Sequence, residues 1–320
     1  MERTQLPGSD IFGLSQDLWK TLLTDQIFAY RDRQAGWGIF DDFKSFGQTA
    51  AVASNLGRYA SEGNVYRTYE FGATSAATIA AGSKNYTVPT GGILSPNGQN
   101  TQYGAGLVLP TPGAITLTGT AYADSQVSIQ AGPVSATANI VPFNVLPLSS
   151  TNTPQDLVFE ARFQISSIAT TLANFFIGLA GSGAAVSAVP FASNTAFATS
   201  KSLLGFGFLS GDTAAQLSLY YERNAGTVGS KVITGTTLAA TTYIKAGFRW
   251  SGQAQTLTPY INGVAQDGVS GPNLILNKTV TGAAPWPDDY MTLCAGLFQK
   301  DTSTALTATI DWWAVAQSAN

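Results

Sequence analysis

Histidine is absent from this chain, and cysteine occurs once, at Cys294. The first absence excludes Ser-His-Asp and Cys-His catalysis and every histidine-ligated metal site. The second excludes an intrachain disulfide and a thiolate cage. Charge is scarce as well: 16 basic and 19 acidic side chains among 320 residues leave a net charge of −3. That balance provides no basic footprint for nucleic acid and too little charge for a disordered acidic tail. The opening residues MERTQLPGSD carry charges and no apolar run, so no secretory signal is expected. Apolar runs such as Phe175–Ala180 are strand-sized, short of bilayer-spanning length, and no membrane partner is expected. The expectation is a protein made and kept soluble in a cytoplasm, or released from it by lysis.

Hydrophobic residues are plentiful at 44%, so the chain can bury a core. Its remaining surface is built from Ala, Thr, Ser, Gly and Asn. Short side chains lose little conformational freedom on contact, which suits association with other protein. A compositional bias of the host is the plainer reading.

Charge is distributed unevenly, and the distribution divides the chain. Residues 1–70 hold 16 of the 35 charged residues, whereas residues 71–155 hold only Lys84 and Asp124. The first zone contains the one good helix, predicted over 16–33: Ser15 caps it, Asp17 lies in its first turn and Gly36 follows its end. Trp19, Leu22, Leu23, Ile27 and Tyr30 form its apolar stripe, with Arg31 and Arg33 at the favourable C-terminal end. Such a helix docks on its own domain or reaches a neighbouring subunit. We therefore divide the chain into an arm and helix at 1–36 and a β-domain at 37–320. A low-complexity, turn-rich insertion is expected at about 71–155, where Pro89-Thr90-Gly91-Gly92 and Pro96-Asn97-Gly98 separate short β-like runs.

Beyond residue 156 the strands are clear. In Val158–Ile165, Phe159, Ala161, Phe163 and Ile165 share one face, opposite Glu160, Arg162 and Gln164. This alternation predicts a strand with one wet side. Ile244, Ala246, Phe248 and Trp250 repeat the pattern, and Leu257–Ile261 turns at Asn262-Gly263, a strong hairpin signal. Many short antiparallel strands predict an all-β, two-sheet antiparallel sandwich of jelly-roll type.

Chemistry is sparse. A β-sandwich glycosidase needs two carboxylates on one face, two or four residues apart on a strand. Glu160 has Arg162 and Gln164 for same-face neighbours, Glu222 is followed by Arg223, and Asp311 by two tryptophans. Asp41-Asp42 and Asp288-Asp289 are adjacent, which sends them to opposite sides of an extended chain. No enzyme is expected. Asp288 and Asp289 are weak candidates for calcium, which needs only oxygen ligands; after Pro285-Trp286-Pro287 they equally suit a turn. No metal or other cofactor is expected. Trp286 and Tyr290, with Tyr86 and Tyr103, are candidate sugar-facing aromatics, or else part of the core and its edges. Cys294 reads as a small buried hydrophobe.

Three pieces together resemble a known family. They are Trp37-Gly38-Ile39-Phe40-Asp41-Asp42-Phe43-Lys44-Ser45-Phe46 with Tyr59-Ala60-Ser61-Glu62-Gly63 and Tyr66-Arg67-Thr68-Tyr69-Glu70, then Leu157–Phe163, then Ile310-Asp311-Trp312-Trp313-Ala314-Val315-Ala316-Gln317. This order resembles tailed-bacteriophage virion proteins with a concanavalin A-like, laminin-G-type jelly roll, similar to head decoration (cement) proteins. The resemblance implies a non-enzymatic protein on the capsid surface that binds the major capsid protein and stabilises the shell. It also implies a homo-oligomer, for which three-fold lattice sites suggest a trimer. Trp19, Leu22, Leu23, Ile27 and Tyr30 are the expected capsid or subunit contact. The alternative is a carbohydrate-binding module or tail-associated adsorption protein that takes a glycan on the same lectin-like fold.

Overall fold

The computed structural model describes residues 13–20, 36–41, 46–47, 58–61, 64–71, 106–108, 114–118, 125–131, 156–168, 173–181, 190–193, 196–197, 202–210, 212, 216–223, 230–251, 256–266, 276–277, 287, 291–299 and 306–318. Two antiparallel sheets, each of nine strands among the described residues, lie face to face, as the alternating patterns predict. With strands numbered along the chain, the first sheet runs β17 (Val264–Ala265), β16 (Thr256–Ile261), β15 (Ile244–Ser251), β8 (Leu157–Ile165), β20 (Thr307–Ser318), β6 (Ile115–Thr118) and β5 (Gly106–Val108). β1 (Gly36–Asp41) also pairs with β20, and β18 (Leu276–Asn277) with β16. The second sheet runs β14 (Ser230–Thr237), β13 (Gln216–Glu222), β12 (Leu203–Phe208), β9 (Ala173–Gly181), β19 (Met291–Gln299), β7 (Ser125–Ala131), β4 (Asn64–Phe71), β3 (Arg58–Ser61) and β2 (Phe46–Gly47). A separate hairpin, β10 (Phe191–Ser193) with β11 (Ala196–Phe197), belongs to neither sheet.

The core between the sheets uses one side of each strand. Phe159, Phe163, Phe248 and Trp250 of the first sheet meet Phe175, Phe206 and Leu219 of the second. Rings bridge the layers, with Phe163 5.0 Å from Phe175 and Phe206 6.4 Å from Phe248. Each such ring removes a large apolar area from water, which is what drives the two sheets together. The Asn262-Gly263 turn forms as its dipeptide predicts, with both residues at positive φ (49° and 81°). The described part of 71–155 is woven into the sandwich: β5 and β6 join the first sheet and β7 the second.

The described helix, α1 (Gln16–Trp19), is one turn long; the rest of the predicted helix, 21–33, lies outside the described residues. Among the described residues, no helix is long and apolar enough to cross a membrane.

Candidate functional site

The outer face of each sheet is covered by a short piece of the same chain, and the two covers differ in chemistry. On the first sheet the cover is the segment Gly13–Trp19. Alternation places Val158 and Glu160 of β8, Gly247 and Arg249 of β15, Tyr260 of β16, and Trp312, Ala314 and Ala316 of β20 on the side away from the core. Leu14, Leu18 and Trp19 pack into one apolar cluster with Val158, Tyr260, Trp312, Ala314 and Ala316. Phe40 of β1 packs against this cluster, its ring 6.1 Å from Trp312. Small side chains make the seat. Gly247 lies under Leu18, and a Cβ there would stand 2.5 Å from Leu18 Cδ2 and 2.6 Å from the Phe159 carbonyl oxygen.

Glu160 is the polar centre of this contact. Its Oε2 accepts from the Ser15 backbone N–H at 2.9 Å and from the Trp19 indole N–H at 2.8 Å, while its Oε1 accepts from the Ser15 hydroxyl. Lys245 reaches the Gly13 carbonyl at 3.3 Å. Burial pushes the Glu160 carboxyl above its ordinary range; the hydrogen bonds from Ser15 and Trp19 and the nearby Lys245 charge oppose that shift. The wet side expected for Glu160, Arg162 and Gln164 is therefore corrected. Glu160 is 1% exposed, because residues 145 positions earlier lie over it, while Arg162 and Gln164 are half-buried. Ser15 departs from expectation too. It holds the N-cap position, its carbonyl accepting from Leu18 and Trp19 N–H at 3.1 Å each, but its hydroxyl serves Glu160 and caps nothing.

At one end of the same face, Arg162 pairs with Asp311 and lies 4.1 Å over the Tyr243 ring. Asp311 occupies an irregularity between Ile310 and Trp312, where the register of β20 on β8 shifts. Arg249 lies 5.9 Å over the Tyr260 ring, and its Nη1 has no hydrogen-bond acceptor among the described residues.

On the second sheet the cover is the β10–β11 hairpin. Phe176, Ala180, Leu203, Tyr220, Cys294 and Phe298 face outward there and cluster with Phe191 and Phe197. Phe191 stacks on Phe197 at 5.5 Å, and Phe197 meets Tyr220 edge-on at 4.8 Å. Gly296 admits Pro190: an added Cβ would stand 3.0 Å from Pro190 Cγ. The Tyr220 hydroxyl donates to Asp212, which also accepts from Leu209 N–H. Glu222 shares the outer side of β13 with Tyr220 and is 3% exposed, and its Oε1 has no donor among the described residues. Burial raises its pKa to about 7. The Cys294 thiol is fully buried as expected, and burial pushes its pKa well up, which keeps it from reacting as a thiolate.

The two buried glutamates lie on opposite outer faces with the core between them. Glu160 stands opposite Gly247 and Ala314, and Glu222 opposite Leu203, so neither has a second carboxylate across from it. Of the sequence candidates, Trp19 is 2% exposed and sits on Glu160. Leu22, Leu23, Ile27, Tyr30, Tyr86, Tyr103, Trp286, Asp288, Asp289 and Tyr290 lie outside the described residues. Among the described residues, no group of three or more potential ligands could hold a metal ion. Sequence reasoning missed the clustering of Ser15 and Trp19 on Glu160. The available signal was an isolated acid on a strand whose same-side neighbour Val158 is apolar.

No protein-family model matches the sequence, and no curated protein aligns with it significantly. Among solved structures, the chain is similar to the endo-1,3-beta-glucanase of Streptomyces sioyaensis (10% identity, 88% of this chain and 96% of that one, TM-score 0.49). It is also similar to peanut lectin (9% identity, 88% and 97%, TM-score 0.47) and to the beta-glucanase of Bacillus licheniformis (12% identity, 90% and 100%, TM-score 0.44). At this identity such likeness concerns architecture alone. The strand order itself makes the chain an antiparallel β-sandwich of two sheets, each of nine strands among the described residues.

Proposed function

We propose that this chain is a non-enzymatic structural protein of a bacteriophage virion, a decoration protein that binds the capsid exterior and stabilises it. The family and the partner, the major capsid protein, come from the resemblance of the sequence motifs. The observation that supports a non-catalytic reading is the cover over part of each outer face. Each cover consists of apolar side chains of the chain's own Leu14–Trp19 segment or β10–β11 hairpin. The acids buried there, Glu160 and Glu222, stand on opposite faces and cannot share a substrate in the way paired carboxylates must. A module of this kind works by contact area. Many symmetric copies across capsomer joints multiply a modest contact without needing a deep pocket.

Purified protein, sedimented with capsids assembled without it, tests the reading. Binding should saturate at a fixed ratio to the major capsid protein. Failure of the folded protein to bind would overturn the decoration role. Saturable binding on a glycan array would then establish the adsorption reading in its place.

A further inference from the structure

The geometry points to exchange of the segment Gly13–Trp19 between copies of this chain: the Glu160 socket of one copy takes the Ser15–Trp19 turn of another. This inference does not depend on capsid binding, and its test needs no capsid.

Three observations carry it. First, the segment belongs to neither sheet, so it can leave without breaking a strand ladder. It is held through Ser15 and Trp19 on Glu160, Lys245 on the Gly13 carbonyl, and apolar packing. Second, the seat is shaped for this segment. Gly247 leaves room for Leu18, and Gly263, at φ 81°, brings the turn against Ser15, so that an added Cβ would lie 3.3 Å from Ser15 Cβ. A seat this particular accepts the identical segment of a second copy with the same contacts, which is why exchange between identical chains is a low-cost route to assembly.

Third, the connection is longer than its task requires. Fifteen residues separate Lys20 from Gly36, enough for about 50 Å of extended chain. Yet the points they join lie much closer than that: Trp19 packs with Ala314, and Gly36 stands opposite Ser318, four residues and about 13 Å further along the same strand. The surplus length lets the segment reach a socket on an adjacent molecule. An unoccupied socket would leave Val158, Tyr260, Trp312, Ala314 and Ala316 bare, a patch that favours refilling by any copy within reach.

The near-contact of positions 15 and 263 supplies the test. Full-length chains carrying Ser15→Cys and chains carrying Gly263→Cys, both with Cys294→Ala, are co-expressed and mildly oxidised. Exchange predicts a disulfide-linked species of twice the chain mass, with residue 15 of one copy joined to residue 263 of the other by peptide mapping. The chain bearing both new cysteines is the control for geometry, since the spacing is close to that of a disulfide. Closure of this control wholly within single chains, with no linked species in the mixture, would overturn exchange. Failure to close in a control that keeps wild-type stability, despite a side chain at the positive φ of residue 263 and the loss of the Ser15 hydroxyl, would overturn the socket itself. As a second readout, light scattering at rising concentration should show wild-type oligomers, and Glu160→Ala should shift the distribution at least several-fold toward monomer. An unchanged distribution in a folded Glu160→Ala protein would also overturn the inference.

Discussion

The two outer faces solve one problem with opposite chemistry. Both sheets have a second apolar side, and both hide it under a few residues of their own chain. On the first sheet the cover is fixed by a buried carboxylate with three donors on it. On the second it is held by stacked and edge-on rings around Phe191 and Phe197. A hydrogen-bonded acid accepts one arrangement of donors and penalises every other, because any donor left unpaired in the interior is costly. Rings packed on rings tolerate small shifts. The first cover is therefore a keyed joint and the second a greased one.

The difference can be broken or sharpened experimentally. The largest effect is expected for Trp19→Ala, which removes a buried ring and one donor from Glu160; it should cost about 3–5 kcal/mol in denaturant unfolding. Glu160→Ala follows at about 3 kcal/mol, since it strands the Ser15 and Trp19 donors in the interior. Glu160→Gln should stay within about 1 kcal/mol of wild type, because the amide oxygen still accepts both N–H groups and the amide nitrogen can donate to the Ser15 hydroxyl. Equal losses for Ala and Gln would mean that charge, not hydrogen-bond reception, holds the segment.

Stability should also fall as pH rises. Glu222 binds its proton more tightly folded, at about 7, than its ordinary 4.5, so the folded state holds the extra proton between those values. Raising the pH through that window should cost at most about 3.5 kcal/mol, at ~1.4 kcal/mol per pH unit. Glu222→Gln should flatten the slope, leaving the part due to Glu160, whose pKa burial also raises. A wild-type profile that is flat or rising from pH 5 to 7 would contradict the burial of Glu222. On the hairpin side, Phe197→Leu should cost only about 1 kcal/mol. Its clearest sign should be faster thiol labelling of Cys294, which should be negligible in the native protein, since that thiol lies beneath the cover.

Much of the sandwich could be read from the sequence, and the reason is local. Alternation in Val158–Ile165 and Ile244–Trp250 fixes which residues face the core, and Asn262-Gly263 specifies its own turn. The covers could not be read, because they depend on contacts between distant parts of the chain. Nothing near Glu160 announces that Ser15 will lie over it, and a strand pattern with polar residues on one side reads as wet. The segment from Phe191 to Phe197 lacks a strand's alternation, so its hairpin left no periodic trace. Of the expected apolar stripe of the helix, Trp19 is buried against the outer face of the first sheet, while Leu22, Leu23, Ile27 and Tyr30 lie outside the described residues.

β20 stands between β8 and β6 at the middle of the first sheet, and β19 between β9 and β7 at the middle of the second. Both are built from residues beyond 290. The second sheet cannot close until about residue 299 has been made, nor the first until about residue 318, so strands as early as Gly36–Asp41 wait without their partner until residues 313–318 exist. The wall of the Glu160 socket made by Trp312, Ala314 and Ala316 arrives last of all. Pairing across such separations is slow and leaves apolar strands open in the meantime. A scarcity of long charged side chains gives those open strands little mutual repulsion. Folding of this sandwich thus waits on residues 291–318, and its yield should depend on how crowded with sister chains the compartment is when they emerge.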